Sequence, residues 1–562
     1  MTDLLTAVSI MFIITGPFLL VANRFELPTV PFFVLAGVIV GFFVDPELTL
    51  ELAQYGIALL VFSFGVDIEL STVRTVLVDS ELAAFGQILV VGSLGFGLGL
   101  LLGVPPGESI YLGAAAALSS TIVGAALLQR EFDTNLVRGR LARSIHFVQD
   151  LLAILFVLVL SAATLAVDSV ATVVGYGVGL LVAALIVNRY LFDVVGEFAG
   201  DSDELMILAV VALLALFVGA AEFAGISIVV GAFAAGLAVR HDPVEYLGLF
   251  NGLESIKDFF VAIFFVTIGA LVVLPFVELG WTESVEKLLL AGGLVLLTAV
   301  VKPAVTTAIL ISQGYEARTA TLTSLNTDQV SEFALIIAIE ALLLGLLSQS
   351  VFDAIILAAA VTMATSSLSQ RYDEQIYRTL ADHGLLGSRH EKIDEWSDVP
   401  ADLSDHVVIV GYGRQGQTLV ETCEHLDHPY VVIENDPARR DAVADCDAFV
   451  FGDAMERYTW EKANAEDARI VVSTVKSEFV SRRILSFGFD TDLTLRSGDR
   501  ESALELLDEG ALYVSHSDLL AGQQLAKQIR ALVDGELTPA ELRERQQAEL
   551  EDRADRLPHI FH

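Results

Sequence analysis

Arg143-Ser-Ile-His-Phe-Val-Gln149-Asp150-Leu-Leu-Ala-Ile-Leu-Phe156 is the stretch that decides how this chain is read. It opens a run of apolar residues over 144–165, long enough to cross a bilayer, and it carries one acid several residues inside that run. A carboxylate in that position is costly, and such groups are usually functional. Twelve further apolar runs surround it, near 4–22, 27–44, 50–66, 81–103, 109–128, 170–187, 204–222, 224–239, 258–276, 288–312, 319–346 and 351–369. The first has Asp3 and no basic flank before it, so it reads as a retained span and not a cleaved signal.

The composition agrees. Hydrophobic residues make up 54% of the 562, charged residues only 19%, and the mean hydropathy is +0.64. An ordinary soluble enzyme, a disordered chain and a fibrous protein are excluded on these numbers. Two cysteines, Cys423 and Cys446, make neither a disulfide framework nor a four-cysteine zinc site. A net charge of −38 argues against a nucleic-acid partner. Only seven of the 33 basic residues are Lys, and that acidic, Lys-poor balance hints at a salt-loving source.

Basic residues orient the spans. Arg24, Arg74, Arg130, Arg138, Arg140, Arg143, Arg189, Arg240, Lys257 and Arg318 follow odd-numbered spans, whereas only Lys287 follows an even-numbered one. This places the N-terminus outside and the C-terminal part in the cytoplasm, and it supports an odd number of spans.

Besides Asp150, the ionisable groups inside spans are Lys302, Asp328 and Glu332, with Glu204 and Glu222 nearer the ends. One carboxylate can hold a proton or a hard monovalent cation but scarcely both, which is the simplest physical basis of exchange. Gln149 adds a neutral acceptor beside it. Lys302, followed by the helix-breaking Pro303, needs a partner, and Asp150 is the expected one. Two spans carry polar clusters at mid-run: Leu118-Ser119-Ser120-Thr121, and Ser324-Leu-Asn326-Thr327-Asp328-Gln329-Val-Ser331-Glu332. They fall in the fifth and twelfth spans, each the centre of a three-span group. Matched broken helices of this kind point to an inverted-repeat secondary transporter.

These residues together resemble the monovalent cation:proton antiporters of the second subgroup, the Kef-type potassium efflux systems among them. The matching stretches are Leu27-Pro28-Thr-Val-Pro-Phe-Phe-Val-Leu-Ala-Gly37-Val-Ile-Val-Gly41, the run from Ala53 through Gly56, Gly65, Asp67 and Glu69, then Leu118 to Thr121 and Gln149-Asp150. Ile226 to Gly236, Phe264-Phe265-Val-Thr-Ile-Gly269 and Ser331-Glu332-Phe333 complete the set. The resemblance implies a homodimeric antiporter with core and dimerisation domains, working by elevator-like alternating access. It implies that Asp150 carries cation and proton, with Gln149, Ser119, Ser120 and Thr121 nearby. Gln149, where related electrogenic sites have a second carboxylate, implies one-for-one exchange. Kef-type members usually show Gly-Gln-Gly before Ser-Glu-Phe; here Asp328-Gln329-Val330 stands there. That extra acid bears on stoichiometry and ion preference.

The C-terminal part reads differently. Val407 to Val410 forms a β-branched strand running into Gly411-Tyr412-Gly413-Arg414-Gln415-Gly416 and then a helical pattern. That is a dinucleotide-type loop in its required context, with Glu434-Asn435-Asp436 at the end of the next strand. Further strands are expected near 448–451, 469–474, 493–495 and 511–514, giving a doubly wound parallel sheet. The lobe, including Gly452-Asp453-Ala454, resembles the nucleotide-binding TrkA-N (RCK-type) domains of potassium-transport regulators. Such domains pair as dimers and bind NAD(H) or an adenine nucleotide such as AMP or ATP.

The expected organisation is therefore a polytopic α-helical membrane domain over 1–370, a linker over 371–404, a Rossmann-like domain over 405–520 and an acidic helical tail over 521–562. The expected activity is exchange of K⁺, or of Na⁺, for H⁺ under nucleotide control in the plasma membrane. A potassium channel with a regulatory lobe is the alternative, disfavoured because no Thr-Val-Gly-Tyr-Gly filter occurs. A membrane-bound NAD-dependent enzyme is a third reading, though no separate substrate domain accompanies the loop.

Overall fold

A computed structural model describes residues 4–25, 27–68, 70–128, 137–162, 167–199, 202–240, 247–386 and 391–556. Asp3, Glu69 and Arg130 of the sequence argument lie outside the described residues. The chain divides into two compact units, 1–313 with 318–379, and 314–317 with 380–562.

The first unit is helical. Its helices are α1 Leu4–Arg24, α2 Thr29–Val40, α3 Pro46–Val66, α4 Leu70–Leu101, α5 Pro106–Ala117, α6 Thr121–Leu127, α7 Val137–Leu160 and α8 Val167–Ile186. The last of these runs on through a π turn, Val187–Leu191, into Phe192–Ala199. Then come α9 Asp203–Phe223, α10 Ile228–Ala238, α11 Leu247–Ala270 and α12 Trp281–Leu296, which continues through a second π turn, Leu297–Val301, into Lys302–Ser312. The unit closes with α13 Ala317–Leu325, α14 Glu332–Leu343, α15 Gln349–Arg371 and α16 Asp373–Asp382. Each apolar run of the sequence is a helix or a broken pair of helices. Among the described residues nine segments are long and apolar enough to cross a membrane, with Thr29–Val40 and Ile228–Ala238 shorter.

The helices sort into two packed groups. One contains α2 against α11 and α3 against α10 and α11; the other contains α4 against α5, α7 and α12, with α14 on α7 and α15 on α12. Without a hydrophobic drive between helices in lipid, close backbone approach is the main cohesive device. The glycines of the family-like stretches supply it. A Cβ on Gly37 would meet the Val266 carbonyl oxygen at 2.1 Å, and one on Gly269 the Val34 oxygen at 2.2 Å. Gly65 and Gly236 do the same for α3 and α10.

Lys287, the one basic residue counted against the charge asymmetry, is no loop charge. It is buried on α12, where its ammonium is paired with the carboxylate of Asp353 on α15.

The second unit holds a six-stranded parallel sheet in the order β3-β2-β1-β4-β5-β6. The strands are β1 Val407–Val410, β2 Tyr430–Glu434, β3 Phe449–Phe451, β4 Ile470–Ser473, β5 Asp492–Ser497 and β6 Tyr513–His516. β1 to β3 are almost wholly buried, as expected of apolar strands covered on both faces. Part of the stretch expected as linker reaches this sheet through a single isolated bridge. The short helix α17 Glu391–Trp396 leads to Asp398, which pairs with Phe449 on the free edge of β3. The described part of the tail holds two helices, α18 Ser517–Val533 and α19 Pro539–Arg556. Gly535, at φ +73°, lies in the turn that parts them.

Candidate functional site

Asp150 is the fourteenth residue of α7 and sits at mid-helix, 1% exposed. Both breaks face it. The first spans 118–120 between α5 and α6, the second 326–331 between α13 and α14. Neither break is left raw. Ser120 caps α6 by accepting from the Val123 amide at 3.2 Å, and Ser331 caps α14 by accepting from the Phe333 amide at 3.0 Å. Serine hydroxyls at N-caps replace the missing intrahelical bonds.

The carbonyls at the breaks are held by Lys302. Its Nζ donates to the Leu118 oxygen at 2.9 Å and the Gln329 oxygen at 2.8 Å. The expected pairing of Lys302 with Asp150 is therefore corrected. The π turn before Lys302 and Pro303 after it place the ammonium at the crossing, where backbone oxygens already exposed by the breaks supply acceptors. Asp328 is the acid within electrostatic range of Lys302. One Asp328 oxygen accepts from the Ser369 hydroxyl, and Oδ1 is buried with no protein hydrogen bond.

The remaining expected residues come together here. Gln149 Oε1 accepts from the Ser119 amide at 2.9 Å, and the Ser119 hydroxyl donates to the Thr327 oxygen at 3.0 Å. Gln329 Nε2 donates to the oxygens of Ser120, at 3.2 Å, and Asn326, at 3.0 Å. Thr121 donates its hydroxyl to Asp150 Oδ2 at 2.5 Å. Glu332 Oε1 accepts from the Ile122 amide at 3.2 Å, placing a second carboxylate at the positive end of α6. Successive residues of α6, Thr121 and Ile122, thus hold the two carboxylates of Asp150 and Glu332. Asp150 Oδ1 and Glu332 Oε2 are both buried without a protein donor. Two buried acceptor oxygens and the Thr121 hydroxyl thus meet at the crossing, oxygen groups of the kind that take a proton or a hard cation.

The sequence reading missed several residues. Gln87 on α4 donates to the Ala117 oxygen at 2.9 Å and accepts from Thr306 at 2.8 Å. A lone amide in an apolar run was the available signal. His146 and Asn326, hydrogen-bonded at 3.0 Å, were quoted but given no role.

In the second unit, the loop after β1 has Gly411 at φ +88°, open only to glycine at low cost. A Cβ on Gly416 would meet the Gly411 oxygen at 2.0 Å, so the helix Arg414–His425 can start against the strand only without one. Gly413 is its N-cap, and Arg414 and Gln415 are exposed in its first turn. Glu434 is 6% exposed; it accepts from the amides of Tyr412 at 2.8 Å, Asn435 at 2.9 Å and Asp436 at 3.1 Å. Gly452 follows β3 with its amide on the Glu434 oxygen, Asp453 accepts from the Met455 amide at 2.9 Å, and Ala454 is buried. A glycine-rich loop at a helix N-terminus, beside a fixed acid on the next strand, fits a nucleotide.

The family model for "Sodium/hydrogen exchanger, transmembrane" matches residues 8–370. The chain belongs to the sodium/hydrogen exchanger family. The TrkA-N domain model matches residues 407–488, so this exchanger carries that domain after its membrane part. Among curated proteins, the putative cation/proton antiporter YbaL of Escherichia coli is 28% identical over 492 residues, covering 83% of this chain and 86% of the relative. The putative K(+) efflux antiporter KefB of Alkalimonas amylolytica is 25% identical, covering 91% and 79%. Among solved structures, the sodium proton antiporter MjNhaP1 of Methanocaldococcus jannaschii matches 66% of this chain and 99% of its own, with a TM-score of 0.52 at 16% identity. That likeness concerns the fold. The chain is thus a multi-pass, Kef-type cation/proton antiporter, as the motifs led one to expect.

Proposed function

We propose that this exchanger moves K⁺, with Na⁺ as the other candidate, against H⁺, one for one, through Asp150. The carrying observation is the crossing, where a mid-helix carboxylate with one buried oxygen lacking a protein donor meets Thr121 while Glu332 accepts from the next amide, Ile122. A cation bound there displaces the proton that would otherwise neutralise Asp150, and helix movement exposes the site to alternate sides. Glu332 stays tied to the α6 amide, and Gln149 carries no charge, so a single exchanging carboxylate gives electroneutral transport. The names of relatives favour K⁺. Ser119, Ser120, Gln329 and Lys302 hold the breaks in register, and Asp328 balances Lys302.

The second unit acts as a cytoplasmic regulator in a homodimer. The glycine loop Gly411 to Gly416, through the amides from Gly413 onward at the start of the helix Arg414–His425, would hold phosphates of NAD(H) or of an adenine nucleotide. Glu434, with Asn435 and Asp436, would meet the ribose, and Gly452, Asp453 and Ala454 flank the same crevice end.

The test is a pH-gradient assay in vesicles with K⁺, Na⁺ and Li⁺ supplied separately. Asp150→Asn abolishes cation-driven proton movement; normal exchange by that variant would refute the site. A membrane-potential dye stays silent if exchange is electroneutral.

A further inference from the structure

His146 belongs to no part of the exchange scheme, yet it is 2% exposed in the middle of the membrane unit. It lies on α7, four residues before Asp150, so both side chains occupy one helix face a turn apart. Across from it, on α6, is Gly124, three residues after Thr121 and on that residue's face. The two helices therefore touch at two successive levels. At one level Thr121 meets Asp150, and at the next Gly124 meets His146. The second contact is tight: a Cβ on Gly124 would stand 2.6 Å from His146 Nε2 and 3.0 Å from Asn326 Oδ1.

Asn326 closes this level. Its Oδ1 is 3.0 Å from His146 Nε2, and its Nδ2 donates to the Gly124 oxygen at 3.2 Å. Asn326 is the first residue of the second break. One amide side chain thus fixes α6, α7 and the second broken helix to one another, all one turn from the cation pocket. The ring of His146 is a rigid spacer, and Gly124 admits it.

We infer that His146, Asn326 and Gly124 form a spacer that sets the α6–α7 separation, and with it the width of the cation pocket between Thr121 and Asp150. The three are positioning residues: they do not touch the cation, and they determine which monovalent cation fits. A pocket lined by oxygens from two helices discriminates by how far those helices can approach, and the spacer limits that approach from the adjacent turn. This deepens the proposed cation site and rests on it.

The test uses the full chain in vesicles, with the KM and maximal rate for Li⁺, Na⁺ and K⁺ measured separately. His146→Ala removes the spacer and changes the ratio of the K⁺ and Li⁺ KM values by about threefold or more, with maximal rates changing far less. His146→Gln, which keeps a donor toward Asn326 and much of the volume, stays closer to the parent ratio. Gly124→Ala alone impairs exchange of every cation, because its methyl collides with the ring. Gly124→Ala combined with His146→Ala recovers exchange, since the methyl takes up space that the ring has left. Unchanged KM ratios in both His146→Ala and Asn326→Ala overturn the inference, as does a double variant no better than Gly124→Ala alone. Failure of Asp150→Asn to stop exchange would instead remove the site itself, so the two failures are distinguishable.

Discussion

Lys287 and Asp353 show what a single pair of residues does in this membrane unit. Both side chains are almost fully buried. Lys287 Nζ also donates to the Val273 oxygen at 2.9 Å, and Gln349 Nε2 donates to Asp353 Oδ1 at 2.8 Å and to the Leu271 oxygen at 3.0 Å. The pair therefore ties the segment after α11 to α12 and α15. Removing one partner strands the other charge, so Lys287→Ala should cost about 3–5 kcal/mol. Thermal unfolding in detergent should show a lowered midpoint. Replacing both together with Lys287→Met and Asp353→Leu should restore most of it. A midpoint equally low in the double variant would mean that the charges contribute more than their mutual compensation. Lys302 differs in kind: its hydrogen-bond acceptors are carbonyls released by helix breaks, not a carboxylate.

Helix α16 is the element whose role emerges from charge. Its first-turn acids reach two helices that carry the cation site. Arg138 on α7 meets Asp373 at 2.6 Å, and Arg318 on α13 meets Glu374 at 2.9 Å, with Arg378 joining Glu374 at 3.0 Å. Burial pushes the Glu374 carboxyl up, but Arg318 and Arg378 more than reverse this and hold it below its ordinary value. A depressed folded-state pKa means the ionised group stabilises the docked helix at neutral pH. That contribution is lost as pH falls through the lowered value. Amide protection of Asp373–Asp382 should thus drop on acidification below the ordinary glutamate range. Arg318→Gln should lower protection at neutral pH and shrink the acid step. Hydrogen exchange identical in the two proteins at every pH would show that α16 docks by other means.

At the scale of the whole molecule, an exchanger and a nucleotide-type lobe share one acidic chain of net charge −38. Coupling between them requires that the lobe binds something. Gly416→Ala places a methyl against the Gly411 oxygen, so NADH and AMP affinity measured on the full chain should fall by about tenfold or more. If the regulatory reading holds, any nucleotide effect on transport disappears with it, while exchange without nucleotide persists. Unaltered affinity would place the ligand elsewhere on the sheet.

Much of this was legible in the chain itself. Apolar runs of bilayer length, the glycine loop after a β-branched strand and the acid in the run from Ser144 each follow from local composition and spacing, which a sequence carries explicitly. The two breaks were legible too, because Ser and Asp clusters interrupt hydrophobic runs. What the sequence left open is which polar groups meet. Lys302 sits 152 positions from Asp150 along the chain but bonds to carbonyls freed at two breaks, and such acceptors are backbone atoms with no residue-type signature. His146 gains a role only because Gly124 and Asn326 arrive beside it from 22 and 180 positions away. Contacts of that kind are fixed by packing in three dimensions, where the close approach of helices, and not the order of residues, decides the partner of each buried polar atom.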